Sequence, residues 1–102
     1  MSDTSPILIK LEPEMEEIVP KYLANRAKDC ISLREFLASA NFTELKRIGH
    51  NMKGTGGGYG FEDISRIGAA IEKAALASDT APIGALIDEL VNYLARVKPV
   101  YQ

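Results

Sequence analysis

With 102 residues, the chain is long enough to enclose one hydrophobic core and too short for two ordinary domains. Hydrophobic residues make up 46% and charged residues 25%, and the net charge of −2 leaves no broad basic surface for nucleic acid or an anionic membrane. A single cysteine, Cys30, excludes a disulfide within the chain and, beside a single histidine, cannot build a Cys/His metal site. We expect Cys30 to be buried, because it falls on an apolar helical stripe.

The first eleven residues carry little helical signal. Residues 1–6 are polar, and we expect them to be flexible. Ile7–Leu11 alternates weakly between apolar and polar positions, so it could form a short strand beside a second one at 97–101. Its apolar run is too short for the core of a signal peptide, and no stretch reaches the roughly 18 apolar residues of a membrane span. The sequence therefore predicts a cytoplasmic location by default.

Helical spacing of apolar residues dominates the chain from residue 13 onward. Pro13–Val19 is acidic and predicts a short helix, after which Pro20 either kinks that helix or begins a new one. Four amphipathic helices with short connections then predict an all-α domain, an antiparallel up-down four-helix bundle over about residues 14–97. The short N-terminal helix or extended segment is an addition to that bundle. The four predicted helices are Lys21–Ser39, Phe42 to about Gly58, Glu62 to about Ala77 and Pro82 to about Val97.

The second predicted helix holds the only histidine of the chain and most of its eight glycines. Its apolar residues recur at intervals of three and four, and at 100° per residue they gather on the side opposite His50. Lys46 and Lys53 share the outward face with the histidine. The spacing therefore predicts an exposed imidazole beside ammonium groups, in the middle of an amphipathic helix.

Each glycine inside a helix destabilises it by about 0.8–1 kcal/mol relative to alanine. The four glycines at positions 54 and 56–58 would together cost about 3–4 kcal/mol by simple addition. Either a neighbouring helix packs so closely that no Cβ fits, or a partner must reach the imidazole without obstruction. By angle, Gly56 and Gly58 flank the apolar stripe, whereas Gly54 and Gly57 flank His50.

The pattern His50-x-x-Lys53-Gly54, followed by Gly60 ten residues after the histidine, resembles the signature of histidine phosphotransfer (HPt) domains. The resemblance extends in helix order and spacing over roughly residues 14–97. It implies a four-helix bundle in which His50 accepts a phosphoryl group, Lys53 lies beside the phosphoryl oxygens and Gly54 leaves space for the partner. Gly56 departs from the family, which often has serine or alanine there; the difference in size is small.

The resemblance also implies partners and a mode of action. The partners would be response-regulator receiver domains or a hybrid histidine kinase, and the chain would relay phosphoryl groups between receiver aspartates or from a histidine kinase pathway. It would be a monomeric carrier rather than an enzyme, without a cofactor or metal of its own, since Mg²⁺ is expected on the receiver. An imidazole suits this role because it offers a neutral nucleophilic nitrogen at cellular pH. Phosphoryl transfer otherwise needs mainly positioning and charge neutralisation, which Lys53 could supply.

Other residues near the histidine carry weaker predictions. Lys46 and Arg47 serve either partner steering or plain solubility, and Gly57 is a candidate for partner contact. Gly58 is expected to be structural, as is Gly60, which suits the left-handed residue that ends a helix. Tyr22 and Arg26 could border the histidine face or simply pack, and Tyr59 is expected to bury its ring. The residues of these open interpretations are Lys46, Arg47, Gly57, Gly58, Gly60, Tyr22, Arg26 and Tyr59.

Two alternative functions remain open at this point. The chain could be a non-catalytic helical adaptor that binds receiver or kinase domains, or a bundle whose glycine-rich face forms a homodimer. Nucleotide binding is excluded more firmly, because Lys53 precedes the glycines, whereas a Walker A lysine follows them, and no Gly-x-Gly-x-x-Gly fingerprint follows a strand. We therefore expect no autonomous kinase activity.

Overall fold

The computed structural model describes residues 4–102, so the predicted flexibility of residues 1–3 lies outside the described residues. It contains four helices, α1 (Val19–Ala38), α2 (Phe42–Thr55), α3 (Glu62–Leu76) and α4 (Ala81–Arg96). Short connections reverse the chain between successive helices, and α2 packs against α1 and α3 while α4 packs against the same two. The predicted four-helix bundle is confirmed. Among these residues, no helix is both long and apolar enough to cross a membrane.

The bundle core consists of the apolar stripes of all four helices, and their deepest side chains are fully buried. Cys30 is also buried, as its place on the stripe of α1 predicted. The fully buried large side chains are Val19, Leu33, Leu45, Met52, Phe61, Ile64, Ile67, Ile71, Ile83, Ile87 and Leu90.

A two-stranded ribbon closes one end of the bundle. Its strands, β1 (Ile7–Leu11) and β2 (Val97–Tyr101), pair in parallel, with Ile7 opposite Val97 and Leu11 opposite Tyr101. The pairing that the sequence suggested is therefore confirmed. The two strands run in the same direction because β2 continues outward from α4, whereas the chain after β1 turns back into α1.

The acidic segment before α1 is shorter than predicted. Pro13–Glu17 forms a 3₁₀ helix rather than an α-helix through residue 19. Of the two interpretations of Pro20, the second is right: it lies in the first turn of α1, which begins at Val19. A proline is tolerated there because the first N–H groups of a helix have no partner within the helix.

The second helix also ends earlier than predicted. It stops at Thr55 instead of about Gly58, and Gly57–Tyr59 continues as a 3₁₀ turn. Ser65 on α3 stabilises this ending, because its hydroxyl accepts a hydrogen bond from Gly57 N at 2.7 Å and donates one to the Lys53 carbonyl at 3.0 Å. At the other end of α2, Asn41 caps the helix, with its Oδ1 accepting a hydrogen bond from Glu44 N at 3.2 Å.

Candidate functional site

His50 lies in the middle of α2 and points away from the core. Its neighbours Ile48 and Met52 are buried, whereas 71% of the histidine side chain is exposed. The outward position follows from the helical period, since residues two apart differ by about 200° around the axis. The exposure predicted for the imidazole is therefore present in the structure.

Glu72 on α3 holds the inner nitrogen of this imidazole. Its Oε2 lies 2.6 Å from His50 Nδ1, and only 16% of the glutamate side chain is exposed. The hydrogen bond from His50 is the largest of the effects that hold the pKa of Glu72 below its usual range, followed in strength by the hydrogen bond from Lys53. A carboxylate only accepts hydrogen bonds, so we assign the proton of the neutral ring to Nδ1. The outer nitrogen, Nε2, then carries the lone pair.

Lys53 completes a three-residue cluster on the same side of α2. It follows His50 by one turn, so the two side chains share a face of the helix. Its Nζ donates to Glu72 Oε1 at 3.3 Å, and about half of the side chain (52%) is exposed. One carboxylate thus contacts both the histidine and the lysine that sequence analysis singled out.

Sequence analysis missed Glu72. The residue sits beside the apolar stripe of α3, where a charged side chain is ordinarily solvated, and it lies 22 residues from the histidine. The hairpin offered a signal: Gly60 marks the turn, His50 precedes it by ten residues, and Glu72 follows it by twelve. Two antiparallel helices joined by a short turn bring such positions to the same level.

The glycines around the histidine fall into different classes. A Cβ built on Gly54 would have no heavy atom within 4 Å beyond its own helix backbone, so this position is open toward solvent. A Cβ on Gly57 would lie 3.2 Å from a carboxylate oxygen of Glu62, so that glycine is partly covered. Gly56 is in close contact, since its Cβ would lie 2.6 Å from Ser65 N. Close packing therefore explains Gly56 and leaves Gly54 for another reason.

Gly60 and Gly58 differ in their structural role. Gly60 has a φ of 92°, the left-handed conformation expected at the end of the α2 turn, where a side chain would be strained. Neither close packing nor backbone conformation requires glycine at position 58: a Cβ there would have no neighbour within 4 Å, and its φ is not positive. Because α2 has already ended at Thr55, Gly58 no longer flanks the core stripe.

A shallow groove of about 550 Å³ leads along α2 and α3 to the histidine. Arg47 lies on it but is paired with Glu44 at 2.6 Å, whereas Lys46 has no ion pair among residues 4–102. Leu76 is 66% exposed, the highest value among the large hydrophobic side chains of the described chain. Sequence analysis did not single it out, because a terminal leucine of an amphipathic helix is ordinarily half-buried. The groove is lined by Thr43, Lys46, Arg47, His50, Glu72 and Leu76.

Tyr22 and Arg26 belong to packing between α1 and the end of α2. The Tyr22 hydroxyl lies 2.8 Å from Thr55 Oγ1, and its ring stacks on Tyr59 with the centroids 4.1 Å apart. The Arg26 guanidinium lies over the Tyr22 ring, 4.6 Å from its centroid, and pairs with Asp29 at 2.8 Å. Neither residue lines the groove at His50. The packing interpretation of Tyr22 and Arg26 is supported, and the half-buried ring of Tyr59 packs against the core.

Residues 4–102 contain no group of three histidine, cysteine or acidic side chains that could hold a metal ion. The cluster of one histidine, one lysine and one glutamate offers instead a nucleophilic nitrogen, a cation for an anionic group and a carboxylate that fixes the ring.

Comparison with known proteins gives one result. The family model described as the Hpt domain matches residues 13–99, which covers all four helices. No curated protein and no solved structure matches the chain.

Proposed function

The chain belongs to the Hpt domain family, the phosphocarrier modules of two-component phosphorelays, and we propose that it carries the phosphoryl group on Nε2 of His50. The group would pass between receiver-domain aspartates, or enter from a histidine kinase pathway. The observation that supports this most directly is the exposed imidazole whose Nδ1 is held by Glu72 at 2.6 Å. Of the two ring nitrogens, this hydrogen bond leaves Nε2 as the nucleophile.

The transfer needs no proton to move. The Nε2 lone pair forms the nitrogen–phosphorus bond while the bond between phosphorus and the receiver aspartate breaks, and the aspartate leaves as a carboxylate. The ring keeps its proton on Nδ1 and becomes positively charged. The Glu72 carboxylate, which faces that proton, would stabilise the charge. The reverse reaction returns the phosphoryl group to an aspartate by the same route, which suits a carrier.

Lys53 would neutralise the phosphoryl oxygens. Its ammonium is within hydrogen-bond distance of Glu72 at 3.3 Å, a long contact that a stronger anion can replace. The four-carbon stem allows the ammonium to swing outward to oxygens on Nε2. Lys53→Ala should therefore slow transfer from a phosphorylated receiver without abolishing it. Lys28→Ala removes an exposed lysine of α1 that does not line the groove beside His50 and is the matched control. Equal rates for wild type and Lys53→Ala would remove Lys53 from the site.

The groove beside His50 would receive the partner. Hpt domains interact with receiver domains and histidine kinases. Exposed Leu76 supplies an apolar contact at one end of the groove, Lys46 supplies a positive charge for an acidic partner, and open Gly54 removes an obstacle beyond the histidine. The receiver would bring its aspartate and Mg²⁺, so this chain would need neither a metal nor a cofactor, and as a carrier it would have no kinase activity of its own.

The experiment that tests the proposal compares wild type with His50→Gln. Both are incubated with a receiver domain carrying ³²P-phosphate on its aspartate, and label on the chain is measured with and without acid treatment. Wild type should gain acid-labile label, and His50→Gln should gain none while keeping nearly the same helicity and melting temperature, because the replaced side chain is mostly exposed. Equal labelling of the variant would contradict the proposal. Receiver binding by a wild type that never gains label would favour the adaptor alternative.

A further inference from the structure

Helices α2 and α3 touch backbone to backbone beside His50, at Gly49 and Gly68. A Cβ built on Gly49 would lie 2.8 Å from the carbonyl oxygen of Gly68, and a Cβ built on Gly68 would lie 2.7 Å from that of Gly49. Neither distance leaves room for a real carbon atom, and the obstacle is backbone rather than a flexible side chain. Both residues are glycine because no other residue permits this approach.

The same two glycines also touch the backbone of the site residues. The Cβ of Gly49 would lie 2.8 Å from the backbone nitrogen of Glu72, and that of Gly68 would lie 2.6 Å from the backbone nitrogen of Lys53. Gly49 directly precedes His50, and Gly68 lies one helical turn before Glu72. The contact point is therefore adjacent to all three residues of the site.

We infer that Gly49 and Gly68 are positioning residues for the phosphoacceptor: their contact sets the separation of α2 and α3 at which Glu72 reaches Nδ1 of His50. This inference rests on the proposed function, because it assigns the contact a role in transfer. An alanine at either position must push or tilt α3 away from α2. The 2.6 Å hydrogen bond then lengthens and bends, and the proton is no longer held on Nδ1.

The test uses the fact that the chain has one histidine, so a ¹⁵N–¹H NMR spectrum of the imidazole has a single source. At a pH where the ring is neutral, wild type should be the Nδ1–H tautomer. Gly49→Ala and Gly68→Ala should each give a mixture with the Nε2–H form and slow phosphoryl acceptance from a receiver on the order of tenfold. A folded Gly49→Ala or Gly68→Ala variant with the wild-type tautomer and rate would overturn the inference.

Two matched glycine-to-alanine variants separate positioning from general loosening. Gly84 lies inside α4, and its Cβ would meet only Leu37 at 3.9 Å, so Gly84→Ala should leave tautomer and rate unchanged. Gly56→Ala introduces another α2–α3 clash, 2.6 Å from Ser65 N, but away from Glu72. It should lower the melting temperature while keeping the Nδ1–H tautomer. A tautomer shift as large as that of Gly49→Ala would overturn the inference.

Glu72→Asp keeps the test decisive should the variants at positions 49 and 68 fail to fold. It leaves both glycines in place and shortens the side chain by one methylene. Helices already in backbone contact cannot move closer to compensate, so the aspartate should lose His50 and the Nδ1–H preference should disappear. Retention of that preference would mean that the separation is adjustable, and the inference would be wrong.

Failure of the inference is distinguishable from failure of the proposed function. The tautomer is measured without any phosphoryl donor, so it reports on the glycine contact even where His50 accepts no label. Conversely, wild type that accepts label on His50 while the alanine variants keep both tautomer and rate would contradict the inference alone.

Discussion

Helices α2 and α3 approach each other through glycine, whereas α1 and α4 are separated by larger side chains. Between α2 and α3, Gly49 and Gly68 leave no space for a Cβ. Between α1 and α4, Gly84 has room for one, and an open groove of about 290 Å³ runs beside Cys30. An exposed ion pair between Arg34 and Asp88, at 2.7 Å, spans the second pair of helices at the surface.

The difference between the α2–α3 half and the α1–α4 half of the bundle follows from their roles, because only the α2–α3 half carries the candidate site. Side-chain packing tolerates changes of a few tenths of an ångström, because side chains can adjust their rotamers. The 2.6 Å hydrogen bond between His50 and Glu72 is more sensitive to a shift of that size, because its strength depends on distance and angle. Backbone contact cannot adjust, so it fixes the distance between the helices that carry the site. The α1–α4 half then contributes stability, mainly through its buried apolar side chains.

The largest expected effect comes from deleting a buried side chain in the α1–α4 half. Ile87 on α4 is fully buried, and Ile87→Ala should lower the free energy of unfolding by about 2–5 kcal/mol, through lost burial and the cavity left behind. Urea unfolding measures this loss. Under conditions where the variant is folded, its rate of phosphoryl acceptance should equal that of wild type. A slower rate in the folded variant would show that the division between the two halves is wrong.

Smaller effects, of opposite sign to each other, are expected from replacing a glycine by alanine at the α2–α3 contact and in α4. Gly68→Ala should lower the free energy of unfolding by about 1–3 kcal/mol through overpacking against backbone. Gly84→Ala should raise it by about 0.4–1 kcal/mol, because it restricts the unfolded chain and causes no clash. The two variants form a matched pair in urea unfolding. Equal shifts in the same direction would contradict the comparison.

Much of the fold was predictable because it depends on local periodicity. The apolar spacing of three and four gave the four helices, the cap at Asn41 was recognisable from its side chain, and the angle around α2 placed His50 outward. The end of α2 was harder, because the hydroxyl of Ser65, a residue on the next helix, stabilises the earlier ending. The helix propensity of one segment cannot predict a hydrogen bond from a residue on another helix.

The site was only half predictable for a related reason. His50 and Lys53 lie on one helix and share a recognisable spacing, whereas Glu72 joins them only through the packing of α3. Gly49, which meets α3 beside His50, is not within the conspicuous run that follows Lys53, and within that run Gly56 is tightly packed whereas Gly58 has no packing role. Which glycine is needed depends on the neighbour that it meets, and that neighbour is set by the tertiary structure.

The smallest expected effect is the pH dependence that Glu72 adds to stability. The hydrogen bonds from His50 and Lys53 lower the pKa of Glu72 from 4.5, so its folded-state pKa lies below its unfolded-state value. Its contribution is therefore fully present above the unfolded-state pKa and is lost as the pH falls through the folded-state pKa. Unfolding of wild type and Glu72→Gln in urea should differ most at pH 6–7, and the difference should shrink steadily below about pH 4.5. A stability difference between wild type and Glu72→Gln that grows in acid would mean that the folded state favours a protonated Glu72. The carboxylate would then not be the group that holds the imidazole.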